Sequence, residues 1–307
     1  QAGSRWEETD TRKMYHNVIN GYWILEGVES KIGVFGGGHD GSSAVNVIDA
    51  IVISTLGNAT DFGDLSVTRY GMGGVSSDTR GLFGGGYASF NVIDYITFAT
   101  PSNATDFGDL TVGRYALAGV SSNTRGVFCG GEIGGVTNTM DYITMSTPSN
   151  ATDFGDLTAS RNAPAGVNSD TRGVIGGGWI TFATNVIDYI TIATTGNAID
   201  FGDLLVTRDS LTGVNSDTRG VIGGGNQTND MDYITIATLG NSIDFGDLTL
   251  TRRALTGVSS ETRGVIAGGY ATANTTVIDY ITISTLGNAT DFGDLTLARN
   301  SLVGVEG

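Results

Sequence analysis

Thr171-Arg172-Gly173-Val174-Ile175-Gly176-Gly177-Gly178 is a short apolar run closed by three glycines, and the chain repeats it. Counterparts begin near Lys31, in the degenerate form KIGVFGGG, and at Thr79, Thr124, Thr218 and Thr262. After each copy come an Asp-Tyr-Ile-Thr segment, with Ala50 in place of the Tyr in the first unit, then Asp-Phe-Gly-Asp-Leu, then an Arg that opens an apolar alternation. Six units spaced by 44 to 48 residues dictate architecture, because a unit of that size cannot bury its apolar face alone and must stack on its neighbours.

Working outward from that stretch, the fourth unit reads as four short β segments. Residues 162–167 follow Arg161, and 173–177 follow the turn Asn168-Ser169-Asp170-Thr171. Residues 186–193 are β-branched and alternate, and 200–204 follow the turn Thr195-Gly196-Asn197. No segment keeps a helical period over ten residues. Four strands per unit of this length is a β-propeller blade, so the expectation is an all-β, six-bladed propeller. Its blades lie near 31–66, 67–111, 112–158, 159–205, 206–249 and 250–295. The first unit starts at its second strand, and residues 299–306 match the opening strand of every other unit. The C-terminal strand is therefore expected to complete the first blade and remove the open edge of the array. Trp23–Val28 is the competing filler, and it matches the repeat only loosely.

Residues 1–30 lie outside the repeat. Arg5–Tyr15 reads as strand, turn and strand, and after His16–Gly21 the aromatic Tyr22-Trp23-Ile24-Leu25 reads as a further strand. So small a β segment is marginal alone and is expected to pack on the propeller, a partner or copies of itself.

Composition narrows the function. Glycine is 48 of 307 residues but falls at fixed repeat positions, which indicates turns and close strand packing. The formal charge is −16, only Lys13 and Lys31 are lysines, and eleven of the fourteen arginines occupy two repeat positions. No basic stripe can follow a phosphate backbone, so nucleic-acid binding is not expected. No run approaches the roughly 20 apolar residues of a membrane-spanning helix, so membrane insertion is not expected either. The chain begins at Gln1, leaving an upstream segment open. The lone Cys129, in place of the first glycine of its triplet, reads as a small buried hydrophobe.

With these residues in place, the units resemble the kelch family. A kelch blade ends its second strand in a diglycine, carries a Tyr on the third and an aromatic on the fourth, then an Arg before the next blade. Gly177-Gly178, Tyr189, Phe201 and Arg208 stand at those places. The departures are Ala50 for Tyr in the first blade and Phe for the usual Trp throughout. The near-identity of the copies, with GNATDFGDL recurring, also resembles kelch-like repeat proteins among virion proteins of marine tailed phages. Residues 6–15 are similar to a short β module of phage tail and fibre proteins. These resemblances imply a virion location, attachment to other virion or tail proteins through residues 1–30, and, by analogy with fibres, a homotrimer.

Length variation is confined to one place. The Asp of each Asp-Tyr segment lies 37 residues before the last Gly of the following triplet: Asp49 to Gly86, Asp94 to Gly131, Asp141 to Gly178, Asp188 to Gly225, Asp232 to Gly269. From that Gly to the next Asp the separations are 11, 8, 10, 10, 7 and 10, and the sequences are scrambled: HDGSSAVNVI, YASFNVI, EIGGVTNTM, WITFATNVI, NQTNDM and YATANTTVI. In an up-and-down blade this loop joins the second and third strands, on the face shared with the connections between blades. One face is a fixed scaffold and the other carries six different loops, where recognition usually sits. The ligand-binding candidates are the aromatic Tyr87, Phe90, Trp179, Phe182 and Tyr270, with His39, Asp40, Glu132, Asn226, Asn229 and Asp230 as polar partners. Rings for sugar faces with amides and carboxylates for hydroxyls would suit a glycan; drift of unconstrained loops is the competing reading.

Other constellations read as scaffold. Asn-x-x-Asp-Phe-Gly-Asp, as in Asn197/Asp200/Asp203, is expected to bond local backbone or to pair with the repeat arginines; a calcium site lacks a full set of oxygen ligands. The Asn-Ala-Thr sequons at Asn58, Asn103, Asn150 and Asn288 are read as turns. The glycine triplets lack the Lys-Ser/Thr and helix of a phosphate loop, and they read as close packing near the axis. His16 and His39 are the only histidines, and no catalytic triad or metal set assembles. Nearly every aspartate recurs in all units, whereas a glycosidase pair belongs to one site. The reading is a non-enzymatic virion appendage with no cofactor that recognises a host surface. A decoration protein without ligand is the alternative, and a glycan-active enzyme a third.

Overall fold

The structure, a computed structural model, describes residues 15–19, 22–25, 31–88, 90–226 and 228–307. The chain divides into two compact units, Gln1–Ser30 and Lys31–Gly307. In the first, Tyr15–Ile19 pairs antiparallel with Tyr22–Leu25. The strand expected at Tyr22 is present, while residues 16–19, expected in a connection, belong to its partner. The rest of the expected hairpin, 5–14, lies outside the described residues.

The second unit is a six-bladed propeller of four-stranded antiparallel sheets. Blade 4 shows the pattern: inner strand Ala165–Asn168, second Arg172–Gly176, third Thr184–Thr191 and outer Ile199–Arg208, the last longer than expected. Blade 1 takes its inner strand, Val303–Glu306, from the C-terminus; it pairs with Ile32–Gly36 in the register Val303 to Gly36. Lys31 precedes that second strand at the axial mouth opposite the variable loops. Of the competing filler, Trp23–Leu25 pairs with Tyr15–Ile19 instead, and the rest of it lies outside the described residues. Inner strands neighbour one another in chain order, and the last, Val303–Glu306, meets Gly73–Ser76 of blade 2.

The ring is held by wedges of apolar side chains between blades. Val120, Val127, Met140 and Phe154 of blade 3 pack with Ile175 and Ile190 of blade 4, together with the buried Cys129. At the axis the inner strands approach so closely that a Cβ on Gly119 would overlap the carbonyl oxygen of Gly74, one on Gly166 that of Gly119, and so on around the ring. Of each glycine triplet only the first is a strand residue. Gly177 and Gly178 have φ of +66° and +108° and face the carbonyls of Arg208 and Asn162, so they turn the chain into the variable loop instead of packing strands.

The two repeated arginines hold different places. Arg161, wholly buried, donates from Nη2 to Asp188 Oδ2 at 3.0 Å and to the Ile175 carbonyl at 3.0 Å. Asp188 also accepts from Thr158 Oγ1 at 2.6 Å. The same buried pair recurs as Arg69–Asp94, Arg114–Asp141, Arg208–Asp232, Arg252–Asp279 and Arg299–Asp49. The partners are thus the third-strand aspartates, not those of Asp-Phe-Gly-Asp. The second arginine, Arg172, stacks 4.6 Å over Tyr189 and donates at 2.9 Å to the Ile236 carbonyl of the next blade. The turn asparagines reach across blades as well: Asn150 Oδ1 accepts from the Asp109 amide and Asn197 Oδ1 from Asp156, both at 3.1 Å. They bond a neighbour's backbone where local turns were expected.

At the axial mouth on the fixed face, Ser76, Ser121, Asn168, Asn215, Ser259 and Glu306 form a polar ring. The Ser121 amide donates to Asn168 Oδ1 at 3.2 Å, Asn168 to Asn215 Oδ1 at 3.1 Å, and Ser259 Oγ to Glu306 Oε1 at 3.4 Å. Burial pushes the Glu306 carboxyl up to about 7, against the opposing pull of Lys31 and the Ser259 hydrogen bonds. An acid whose folded pKa exceeds its unfolded value binds protons more readily when folded. Its contribution to stability is greatest in acid and falls as pH rises from about 4.5 to about 7. Glu306→Gln is expected to be more stable than the parent at pH 8, with the gap closing by pH 4. Denaturant titrations at both pH values would show this, and a gap independent of pH would refute it.

Candidate functional site

Each second strand delivers its glycine turn to the same face as the connection entering that blade, and there two variable residues meet. One follows the buried arginine: Tyr70, Tyr115, Asn162, Asp209, Arg253 and Asn300. The other follows the glycine triplet: Tyr87, Glu132, Trp179, Asn226, Tyr270 and His39. Backbone hydrogen bonds join the two within each blade. The Tyr87 amide donates to the Tyr70 carbonyl at 2.8 Å, Glu132 to Tyr115 at 2.9 Å, Trp179 to Asn162 at 2.8 Å and His39 to Asn300 at 2.9 Å. Blade 5 pairs Asn226 with Asp209 at 3.2 Å, and blade 6 Tyr270 with Arg253 at 2.8 Å.

The six positions after the arginine were not among the candidates, because they vary in identity at constant length. Their signal was present: in repeats that otherwise barely differ, the residue after the invariant arginine reads Tyr, Tyr, Asn, Asp, Arg, Asn.

Side chains extend these pairs into an arc. The His39 ring lies edge-on to Tyr70 at 5.2 Å, Tyr70 stacks on Tyr87 at 4.8 Å, and Tyr87 meets Tyr115 edge-on at 5.2 Å. Tyr115 hydrogen-bonds Glu132; burial, then that bond, raises its phenol to about 12, so it stays protonated at neutral pH. Glu132 Oε2 accepts in turn from Asn162 Nδ2. On the other side Asn274 Nδ2 donates to the His39 carbonyl at 2.8 Å, and Asn300 Nδ2 to Asn274 Oδ1 at 2.7 Å.

The remaining candidates fall into distinct settings. Trp179 and Phe182, 42% and 76% exposed, approach at 6.4 Å and form with Ile180 an apolar knob on blade 4. Tyr87 is 49% exposed, and Phe90 is half-buried in the turn of blade 2. Tyr270 is half-buried beneath the Arg253 guanidinium, 5.6 Å from its ring centre. Asp40 is occupied by its own loop: its Oδ1 accepts from the amides of Ser42 and Ser43 and from Ser42 Oγ, and the amide bonds, Ser43's first, lower its pKa to about 2. Asn229 and Asp230 stand at the root of a third strand, with the Asn229 carbonyl accepting from Leu248 at 2.8 Å as Asn46 does from Leu65 in blade 1. These bonds are made by their backbones. Among the described residues, no group of three or more His, Cys, Asp or Glu side chains is placed to hold a metal ion.

The arrangement offers rings, amides and two carboxylates on a rigid ring, the equipment of a binding surface. No protein-family model matches the chain, and no curated protein matches it.

Proposed function

We propose that the chain is a non-enzymatic recognition propeller, a tail-fibre or other appendage protein of a virus particle whose variable face meets the host surface. The observation that carries this reading is the confinement of variation: two positions that vary from blade to blade, paired within each blade, occupy one face of a ring whose other face scarcely changes. Neutral drift would scatter differences over every exposed turn, and the turns of the opposite face are equally exposed. The virion setting rests on the resemblance of residues 6–15 and of the repeats. Lys31 lies on the fixed face, opposite the variable loops.

The test is adsorption of the labelled chain to a panel of bacterial envelopes. A Trp179→Ala/Phe182→Ala/Tyr270→Ala variant is expected to lose at least about tenfold in affinity, because aromatic anchors dominate recognition surfaces. Asp78→Ala on the fixed face should bind as the parent does. Equal binding by the triple variant would support the decoration reading instead, and sugar release from an envelope polysaccharide would overturn the non-enzymatic assignment.

A further inference from the structure

The loop lengths carry information about shape. The four long loops, in blades 1, 3, 4 and 6, each fold back on themselves through a β-bridge: His39 to Ala44, Glu132 to Val136, Trp179 to Ala183 and Tyr270 to Asn274. Blades 2 and 5 have the two shortest loops, and these turn tightly, Phe90 donating to the Gly86 carbonyl and Thr228 to Gly225. In a ring of six, blades 2 and 5 stand opposite each other. Two short loops facing across the axis, flanked by pairs of longer ones, would leave a trough along one diameter of the variable face.

The floor of this trough is specific in chemistry. At the blade 2 end it is aromatic, with Tyr70 and Tyr87 stacked. At the blade 5 end it is polar, with Asp209, Ser210 and Asn226. Between them runs a closed ring of six backbone hydrogen bonds, each from the residue after a variable position: Ala116 to Gly71, Ala163 to Ala116, Ser210 to Ala163, Ala254 to Ser210, Ser301 to Ala254 and Gly71 to Ser301, at 2.6–3.0 Å. The amides and carbonyls in this ring are thereby occupied, so the floor presents side chains and no strand edge. Arg253 is the one permanently charged cation among the described residues of this face, and it lies over Tyr270.

Resting on the reading of this face as the recognition surface, we infer that the trough seats an extended run of a neutral polysaccharide. A polymer fits because the trough is open at both ends. Neutral sugars fit because the net charge of −16 repels polyanions and the floor offers them no cation. A peptide added as a strand finds no free backbone partner. Sugar rings pack their apolar faces on the tyrosines, while hydroxyls bond Asp209 Oδ2 at the far end, its Oδ1 already accepting from Ser210 Oγ at 2.8 Å.

The experiment measures binding of the full chain to arrays of neutral oligosaccharides graded by length, of sulfated and sialylated glycans, and of peptides. Two variants accompany it: Tyr87→Ala, and a graft of the blade 3 loop into blade 2, which raises the floor. The same loop grafted into blade 6, where lengths match, is the control, and thermal unfolding checks each fold. Affinity is expected to rise with the length of the neutral chain, and each trough variant to lose at least about tenfold, the size of one lost anchor. Preference for anionic glycans or peptides, no binding to any array, or indifference to the blade 2 graft would overturn the inference. If the graft keeps envelope binding that the Trp179/Phe182/Tyr270 variant has lost, the trough falls and the recognition surface stands.

Discussion

Deleting residues 302–307 is expected to abolish the cooperative unfolding of the propeller. The deletion removes Leu302, Val303 and Val305, all buried, from the wedges on either side of blade 1. At about 1.5–3 kcal/mol for each buried aliphatic side chain, the loss is roughly 5–9 kcal/mol. That rivals the whole stability of an ordinary domain, about 5–15 kcal/mol. It also uncovers Ile32–Gly36, an apolar strand with an unpaired edge, and such edges aggregate. Calorimetry should show no sharp transition for the truncated chain, and sedimentation should show aggregates. A synthetic peptide spanning 299–307 is expected to restore a transition in trans. A truncated chain that stays monomeric and melts cooperatively near the parental temperature would show that the closing strand is dispensable.

The second large effect lies in the buried ion pairs. Asp188→Ala leaves the Arg161 guanidinium without its counter-ion, in a setting where burial already lowers the arginine pKa. Removing one member of such a pair costs about 3–5 kcal/mol, chiefly the expense of a stranded charge. Thr158 Oγ1 loses its acceptor too. The double change Arg161→Met/Asp188→Leu should cost less than the single one, because it removes both charges. The pair is not perfectly satisfied even in the parent: the Nε of all six buried arginines lacks a partner among the described residues. Denaturant midpoints of the parent, both single variants and the double variant form the required cycle. A double variant less stable than Asp188→Ala would contradict this account.

The architecture was legible because near-identical units repeat their turn chemistry and strand alternation six times, and because 299–306 visibly matches the opening strands. The two faces followed from where length varies. Pairing of side chains was less legible. Every unit contains several aspartates within reach of an arginine, and only the packing singles out Asp188 over Asp200 and Asp203. The candidate site was half visible: loop length led to Tyr87, Glu132 and Trp179, whereas Tyr70 and Tyr115 sit in connections of constant length. Asp40 resembled a ligand group by type, but hydrogen bonds from Ser42 and Ser43 tie its carboxylate into its own loop. That distinction depends on backbone course, which alternation patterns do not encode.

The pairing of the two chain ends also governs how the molecule folds. Blades built from neighbouring segments can nucleate anywhere and propagate, each docking on the last. Blade 1 alone needs ends separated by almost the whole chain. Loop-closure entropy rises by only about 0.6 kcal/mol per doubling, so this closure costs about 1.5 kcal/mol more than bridging one repeat. The difficulty is choice, because five other inner strands of nearly the same sequence compete for Ile32–Gly36. In the folded ring each of those five is engaged by its own blade, which leaves Val303–Glu306 to pair with Ile32–Gly36.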